Sequence, residues 1–227
     1  MQLEIAVIDL QGVAIALEEG ADRVELCTNL EVGGLTPSEG LISQALERAG
    51  SGVGVHPLIR PRPGDFAYTD DEVNLLVMQA SSAVRQGAPG LIFGALTESG
   101  EIDGATVARV SDITRAINPE TELTFHRAFD KTACKRSAME DLIGHRLDRV
   151  MSAGNPSGAG INLEGIRELV KDSGRRLQVM AGGGLRIGDI SALHAAGVDA
   201  VHFSARKGTD QRTDRDLVRA ARQAIPD

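Results

Sequence analysis

The chain has no tryptophan, one tyrosine and five phenylalanines, so aromatic side chains make up only 3% of its 227 residues. Its core must be filled by aliphatic side chains. At 42% hydrophobic, the chain has enough of them for one substantial core, and its length is short of two complete domains. Positive charge is also scarce: 24 Lys and Arg stand against 32 Asp and Glu, a net charge of −8. Such a balance repels phosphate backbones and anionic membranes, so neither nucleic acid nor a membrane surface is an expected partner. No run of 18 or more apolar residues occurs, and Met1 to Val7 carries no basic segment leading into a long apolar stretch. Neither a membrane span nor a secretion signal is therefore expected. Two cysteines, Cys27 and Cys134, are too few for a disulfide framework and too far apart for a structural zinc pair. A reducing cytosol is the expected setting.

What the sequence does contain is a repeating unit. Strand-like runs at residues 3–8, 23–27, 53–60, 91–94, 148–151, 176–180 and 197–204, and a further one ending at Thr124 to His126, alternate with segments of helical spacing. Turn and cap residues punctuate them, among them Thr69 with Glu72 three residues on, and Asn162. About eight β–α units in a chain of this size predict a parallel sheet closed into a single-domain (β/α)8 barrel over residues 1–227. In such a barrel the active site lies at the C-terminal ends of the strands. The strand ends here are polar: Glu25-Leu26-Cys27, Arg60-Pro61-Arg62, His126-Arg127, Gly182-Gly183-Gly184 and His202-Phe203-Ser204.

Parity assigns these residues to faces. In Arg23-Val24-Glu25-Leu26-Cys27, Val24 and Leu26 share one face of the strand, and Arg23, Glu25 and Cys27 the other. Glu25 is a base or a metal ligand, with an arginine as its expected partner; Cys27 is a soft ligand, a nucleophile or a packed core residue. Arg60, Arg62 and Arg127 carry guanidinium forks that bind carboxylate or phosphate, or pair structurally with Glu25, Asp65 or Asp130. His126 and His202 end their strands and can titrate, ligate metal or donate a hydrogen bond. His56 lies deeper and reads as a satisfied core histidine. Gly182, Gly183 and Gly184, before a helix expected from about Ile187, fit either a backbone cradle for phosphate or a tight turn alone.

Three longer stretches carry a family likeness: Arg23 to Cys27 followed by Gly33-Gly34-Leu35-Thr36-Pro37-Ser38, then His56 to Phe66, then Thr124 to Asp130. Together they resemble the CutC family, named for copper homeostasis, over about residues 3–205. The resemblance implies a cytoplasmic barrel linked to copper tolerance and binding Cu(I), with Cys27 as the ligand that carries over. Cysteines that family members often have on the first strand and after Asp65-Phe66 are Ala6-Val7 and Ala67 here, leaving His126, Met180 and His202 as the other candidate donors. A second reading comes from the residues themselves. Arg60 and Arg127 would grip a small anionic carboxylate or phosphate metabolite while Glu25 or His126, with Asp130, supplies acid–base catalysis. A third is a non-catalytic binding module whose polar mouth is structural. Barrels of this kind are commonly homo-oligomers, and that is expected here.

Overall fold

The structure is a computed structural model describing residues 1–156, 160–208 and 210–226. Eight parallel strands close into a barrel in sequence order: β1 Gln2–Val7, β2 Arg23–Leu26, β3 Gly54–Ile59, β4 Gly90–Phe93, β5 Glu122–Phe125, β6 Arg149–Ser152, β7 Gln178–Gly182 and β8 Ala200–Phe203. The helices between them are α1 Leu10–Glu18, α2 Glu39–Ala49, α3 Asp70–Arg85, α4 Gly104–Ile117, α5 Lys135–Gly144, α6 Leu163–Ser173, α7 Ile190–Ala196 and α8 Arg215–Ala224. The expected (β/α)8 barrel is the observed one.

Alternation along each strand builds two separate interiors. Leu3, Ile5 and Val7 of β1, with Val24, Leu26, Phe93 and Phe125, face outward and pack against the apolar faces of the helices. Side-chain caps fix where several of those helices begin. Thr69 and Glu72 form a reciprocal capping box at α3, and the Asn162 side chain accepts from the Gly165 N–H at α6. The helix expected from Ile187 starts later. Residues Ile187–Asp189 form a 3-10 turn, in which the Asp189 carboxylate accepts from the Arg186 N–H at 2.8 Å, and α7 follows.

The inward set at the bottom of the barrel is ionic. Arg23 Nε lies 2.5 Å from Glu4 Oε2, and Arg23 also pairs with Glu122, which Arg149 meets at 3.1 Å. Arg149 in turn donates to Gln2 and Gln178, each at 2.6 Å. Long paired side chains thus fill the space that branched aliphatic layers occupy in many such barrels, and each charge meets an opposite one. Above this floor the barrel opens toward the C-terminal ends of its strands.

Candidate functional site

A cavity of about 460 Å³ occupies that mouth. Glu25 reaches it from β2, Arg60 from the end of β3, His126 and Arg127 from the end of β5, His202 from β8, and Gly183-Gly184 from the turn after β7. Of the described residues lining it, Arg60, Arg127, Lys131 and Arg206 are basic and Glu25 alone is acidic. A chain with a net charge of −8 therefore presents a positive hollow.

Glu25, His202 and Glu4 form the polar centre of its floor. His202 Nδ1 lies 2.7 Å from Glu4 Oε1 and 3.4 Å from Glu25 Oε2. Burial alone would lower His202, but Glu25 and Glu4 outweigh it and raise the imidazole above its usual value. Burial likewise opposes ionisation of Glu4, yet Arg23 and His202 hold its carboxyl well below the usual carboxylate range. Glu25 goes the other way. It is 93% buried, given a relative exposure of 7%, and accepts no hydrogen bond among the described residues; burial pushes it up to about 7 against the pull of His202. Among the described residues, the arginine partner expected for Glu25 is absent. Arg23, two residues earlier on the same face, points down to Glu4 and Glu122, so a histidine takes that place.

Arg127 is held from two sides. Its Nε donates to Asp130 Oδ2 at 3.1 Å, and Gly183 leaves room for its guanidinium. Asp130, 1% exposed, also accepts from Ser152 Oγ and from the Ala153 N–H at 3.1 Å. It anchors Arg127 and does not line the cavity. Gly182 in turn makes room for the Met151 and His202 side chains. The side-chain space at Gly182 and Gly183 is thus taken by neighbours, while the backbone of Gly183 and Gly184 still lines the cavity.

The two arginines of β3 separate. Arg60 is 6% exposed, donates to the carbonyls of Val32 and Gly34 at 2.9 and 3.0 Å and of Gly64 at 2.9 Å, and meets no carboxylate among the described residues. Arg62, expected beside it, does not reach the cavity. It lies past the end of the strand, where Glu72 at 2.6 Å, Asp65 at 2.9 Å and the Tyr68 ring hold it outside. His126 borders the cavity, and its Nδ1 accepts the Ala128 N–H at 3.1 Å; burial, reinforced by Arg60, lowers it to about 3. His56 is buried and lowered to about 3 by burial and Arg23, and its Nδ1 has no hydrogen-bond partner among the described residues, so it is not the satisfied core histidine expected.

The cysteines stand apart from this centre. Cys27 is fully buried in a small apolar cluster with Leu58 and Ile92, its Sγ 3.7 Å from the Val7 carbonyl, and burial, then the charge of Glu25, raise its thiol well above the usual value. Met180 packs with Met151 and Ala200, and Cys134 is exposed at the start of α5. Cu(I) selects thiolate and thioether donors. Among the described residues, the one cluster with ligand geometry is Glu4, Glu25 and His202, whose candidate donor atoms lie within 4.8 Å of one another. Two carboxylates and an imidazole do not fit Cu(I). Glu4 was not among the expected site residues, although the parity of β1 places it inward with Ala6.

Comparison with known proteins places the chain in a family. The CutC family model matches residues 1–207. A family protein CutC of Glaesserella parasuis serovar 5 (strain SH0165) is 37% identical over 207 residues, covering 91% of this chain and 83% of the relative. One of Vibrio vulnificus (strain YJ016) is 36% identical over 206 residues, covering 90% and 81%. A solved structure from Streptococcus agalactiae, bearing the name copper homeostasis protein CutC, superposes with a TM-score of 0.83 at 29% identity, over 89% of this chain and 97% of that one. The structure of 3-hexulose-6-phosphate synthase superposes at 0.66 and 18% identity, over all of both chains, a likeness of fold alone.

Proposed function

The chain belongs to the CutC family, and we propose that it binds a small anionic molecule in the barrel mouth and moves a proton on it through Glu25. The charge of the cavity carries this reading: four basic side chains and one acidic one, in a chain that is acidic as a whole. Arg60 is the strongest part of the observation. A buried guanidinium facing carbonyls without a counter-charge is costly, and an anionic ligand supplies the missing charge. Glu25 supplies the chemistry. A carboxyl held up to about 7 has both protonation states populated near neutral pH, as a general acid–base group needs. The two unpaired cysteines are consistent with a reducing cytosol as the place of this work.

The test is calorimetric titration at low ionic strength with inorganic phosphate and a set of small carboxylates. At least one is expected to bind wild type and to bind Arg127→Ala about tenfold or more weakly, the loss of a charge-assisted contact. An absence of anion binding by wild type would sink the reading.

A copper role is the second reading, favoured by the name of the Streptococcus agalactiae relative and by the three-donor cluster on the cavity floor. In it the donors are Glu4, Glu25 and His202, a set suited to Cu(II). Titration with Cu(II), and with Cu(I) against a competing chelator, separates the two ions. This reading requires Cu(II) binding that His202→Ala abolishes; Cu(I) binding abolished by Cys27→Ala would restore the thiolate site instead.

A further inference from the structure

His126 directly follows β5, with its imidazole fixed from one side. The backbone N–H of Ala128 donates to Nδ1 at 3.1 Å, so Nδ1 is an acceptor, and in the neutral ring the proton sits on Nε2. That Nε2 is buried and makes no hydrogen bond among the described residues, while the ring borders the cavity. Buried donors without an acceptor are rare in folded proteins and call for an explanation. The guanidinium groups of Arg60 and Arg127 oppose a charge on the ring, and burial acts in the same direction. His126 is therefore poorly placed to take up a proton, and its Nε2–H is left without an acceptor among the described residues. Glu25 lies three strands away around the barrel, on β2, and lines the same cavity.

Resting on the anion-binding reading above, with Glu25 as the group that moves the proton, we propose that His126 is a catalytic hydrogen-bond donor. Its Nε2–H would serve the carbonyl oxygen of the bound molecule, which makes the substrate a small carbonyl compound carrying an anionic group. The step balances without any oxidant. The C–H bond next to the carbonyl breaks and its proton passes to the Glu25 carboxylate. The electron pair of that bond forms the carbon–carbon double bond of an enolate, and the carbonyl π pair moves onto oxygen, where Nε2–H meets the developing negative charge. Return of the proton to the same carbon racemises it or leaves it unchanged. Where the neighbouring carbon carries a hydroxyl, transfer of the hydroxyl proton to the enolate oxygen and delivery of the carbon-bound proton to the other carbon moves the carbonyl along the chain. A neutral donor suits this task because it stabilises the oxyanion without surrendering its proton. The nearby charges of Arg60 and Arg127 favour the same oxyanion.

The experiment is proton exchange in D2O, followed by ¹H NMR. The probes are pyruvate and oxaloacetate for the 2-oxo acids, and dihydroxyacetone phosphate and ribulose 5-phosphate for the sugar phosphates. Wild type is expected to exchange the C–H next to the carbonyl of at least one probe faster than the protein-free control, and which arm responds identifies the anionic group. Glu25→Gln should abolish the exchange. His126→Phe should slow it about 100-fold or more, and His126→Gln, whose amide still donates an N–H, should recover part of the rate. Circular dichroism and Tm establish that each variant is folded. One measurement needs no variant: the ¹⁵N-histidine spectrum of wild type should show His126 as the neutral Nε2–H tautomer from pH 5 to pH 9. A charged ring above pH 5, the Nδ1–H tautomer, or wild-type exchange by His126→Phe each overturns the proposal. Anion binding without exchange of any probe overturns it alone; loss of anion binding as well removes the reading beneath it.

Discussion

Gly183 gives its side-chain space to Arg127. A β-carbon added at position 183 would fall 2.5 Å from Arg127 Cζ and 2.6 Å from its Nε, and the backbone there has a φ of +112°. Gly183→Ala should therefore do two separable things. It should cost about 1 kcal/mol or more of stability through the left-handed backbone. It should also push the guanidinium off its seat between Asp130 and the turn, and weaken binding of small anions about tenfold, since bidentate anion recognition depends on the fork's orientation. Calorimetric titration of the variant checks this. An unchanged affinity would mean that Arg127 does not contact the ligand.

Glu25 is a site where stability and activity oppose each other. Its folded value of about 7 stands above the 4.5 of an ordinary glutamate, so its contribution is fully present below 4.5 and is lost as pH rises through 7. At pH 8 the wild type holds an ionised carboxylate that is buried and receives no hydrogen bond among the described residues. Glu25→Gln removes that charge at nearly constant shape. The variant is expected to be more stable than wild type by about 1–3 kcal/mol at pH 8 and nearly equal to it at pH 5, as read from urea unfolding. A variant less stable at pH 8 would make Glu25 a structural anchor for His202.

The barrel was legible because its signals are local. Strand runs, caps such as Thr69 with Glu72, and the polar ends of strands can each be read within a few residues. The site was legible only in part. Parity carried Glu25 and His202 inward correctly, and the same parity applied to Gln2-Leu3-Glu4-Ile5-Ala6-Val7 points to Glu4. What hid Glu4 is distance along the chain, since only the closure of β8 on β1 brings it to His202, 198 residues away in sequence. Arg62 misled for the opposite reason. Beyond the end of a strand parity no longer applies, and the loop's own acids and carbonyls decide where a guanidinium goes. Cys27, which directly follows β2, keeps that strand's inward parity, since it packs against Leu58 and Ile92 on the inner faces of β3 and β4.

The two thiols should differ sharply in reactivity. Thiolate is the reacting form, and Cys27 is both fully buried and raised well above the usual thiol value, whereas Cys134 is exposed. A disulfide reagent such as DTNB should titrate one thiol per chain rapidly in the native protein and the second only after denaturation. Cys134→Ala should remove the fast phase. Two fast equivalents in wild type would show that the barrel opens at Cys27, and a soft-metal role for that residue would regain ground.

Acid should unfold the protein in two distinguishable stages. His56 and His126 are both lowered from 6.5 to about 3, so below pH 6.5 the unfolded chain binds protons that the folded chain does not. Stability falls as pH drops, by about 1.4 kcal/mol per pH unit for each such histidine. Between 7 and 4.5 the folded state gains one proton at Glu25 ahead of the unfolded state, which offsets one of the two. His202, raised in the folded state, acts only at the upper edge, where its contribution is lost as pH rises through its folded value. Below 4.5 the offset is gone. Glu4 and Glu122, held below the usual carboxylate range by Arg23 against burial, then add losses of their own as pH falls through their folded values. The free energy of unfolding should thus decline by about one proton's worth between pH 6.5 and 4.5 and more steeply below. Glu25→Gln should steepen the upper stage to about two protons. Urea unfolding at half-unit pH steps reads both slopes; equal slopes for wild type and variant above pH 4.5 would show that Glu25 does not hold a proton in the folded barrel.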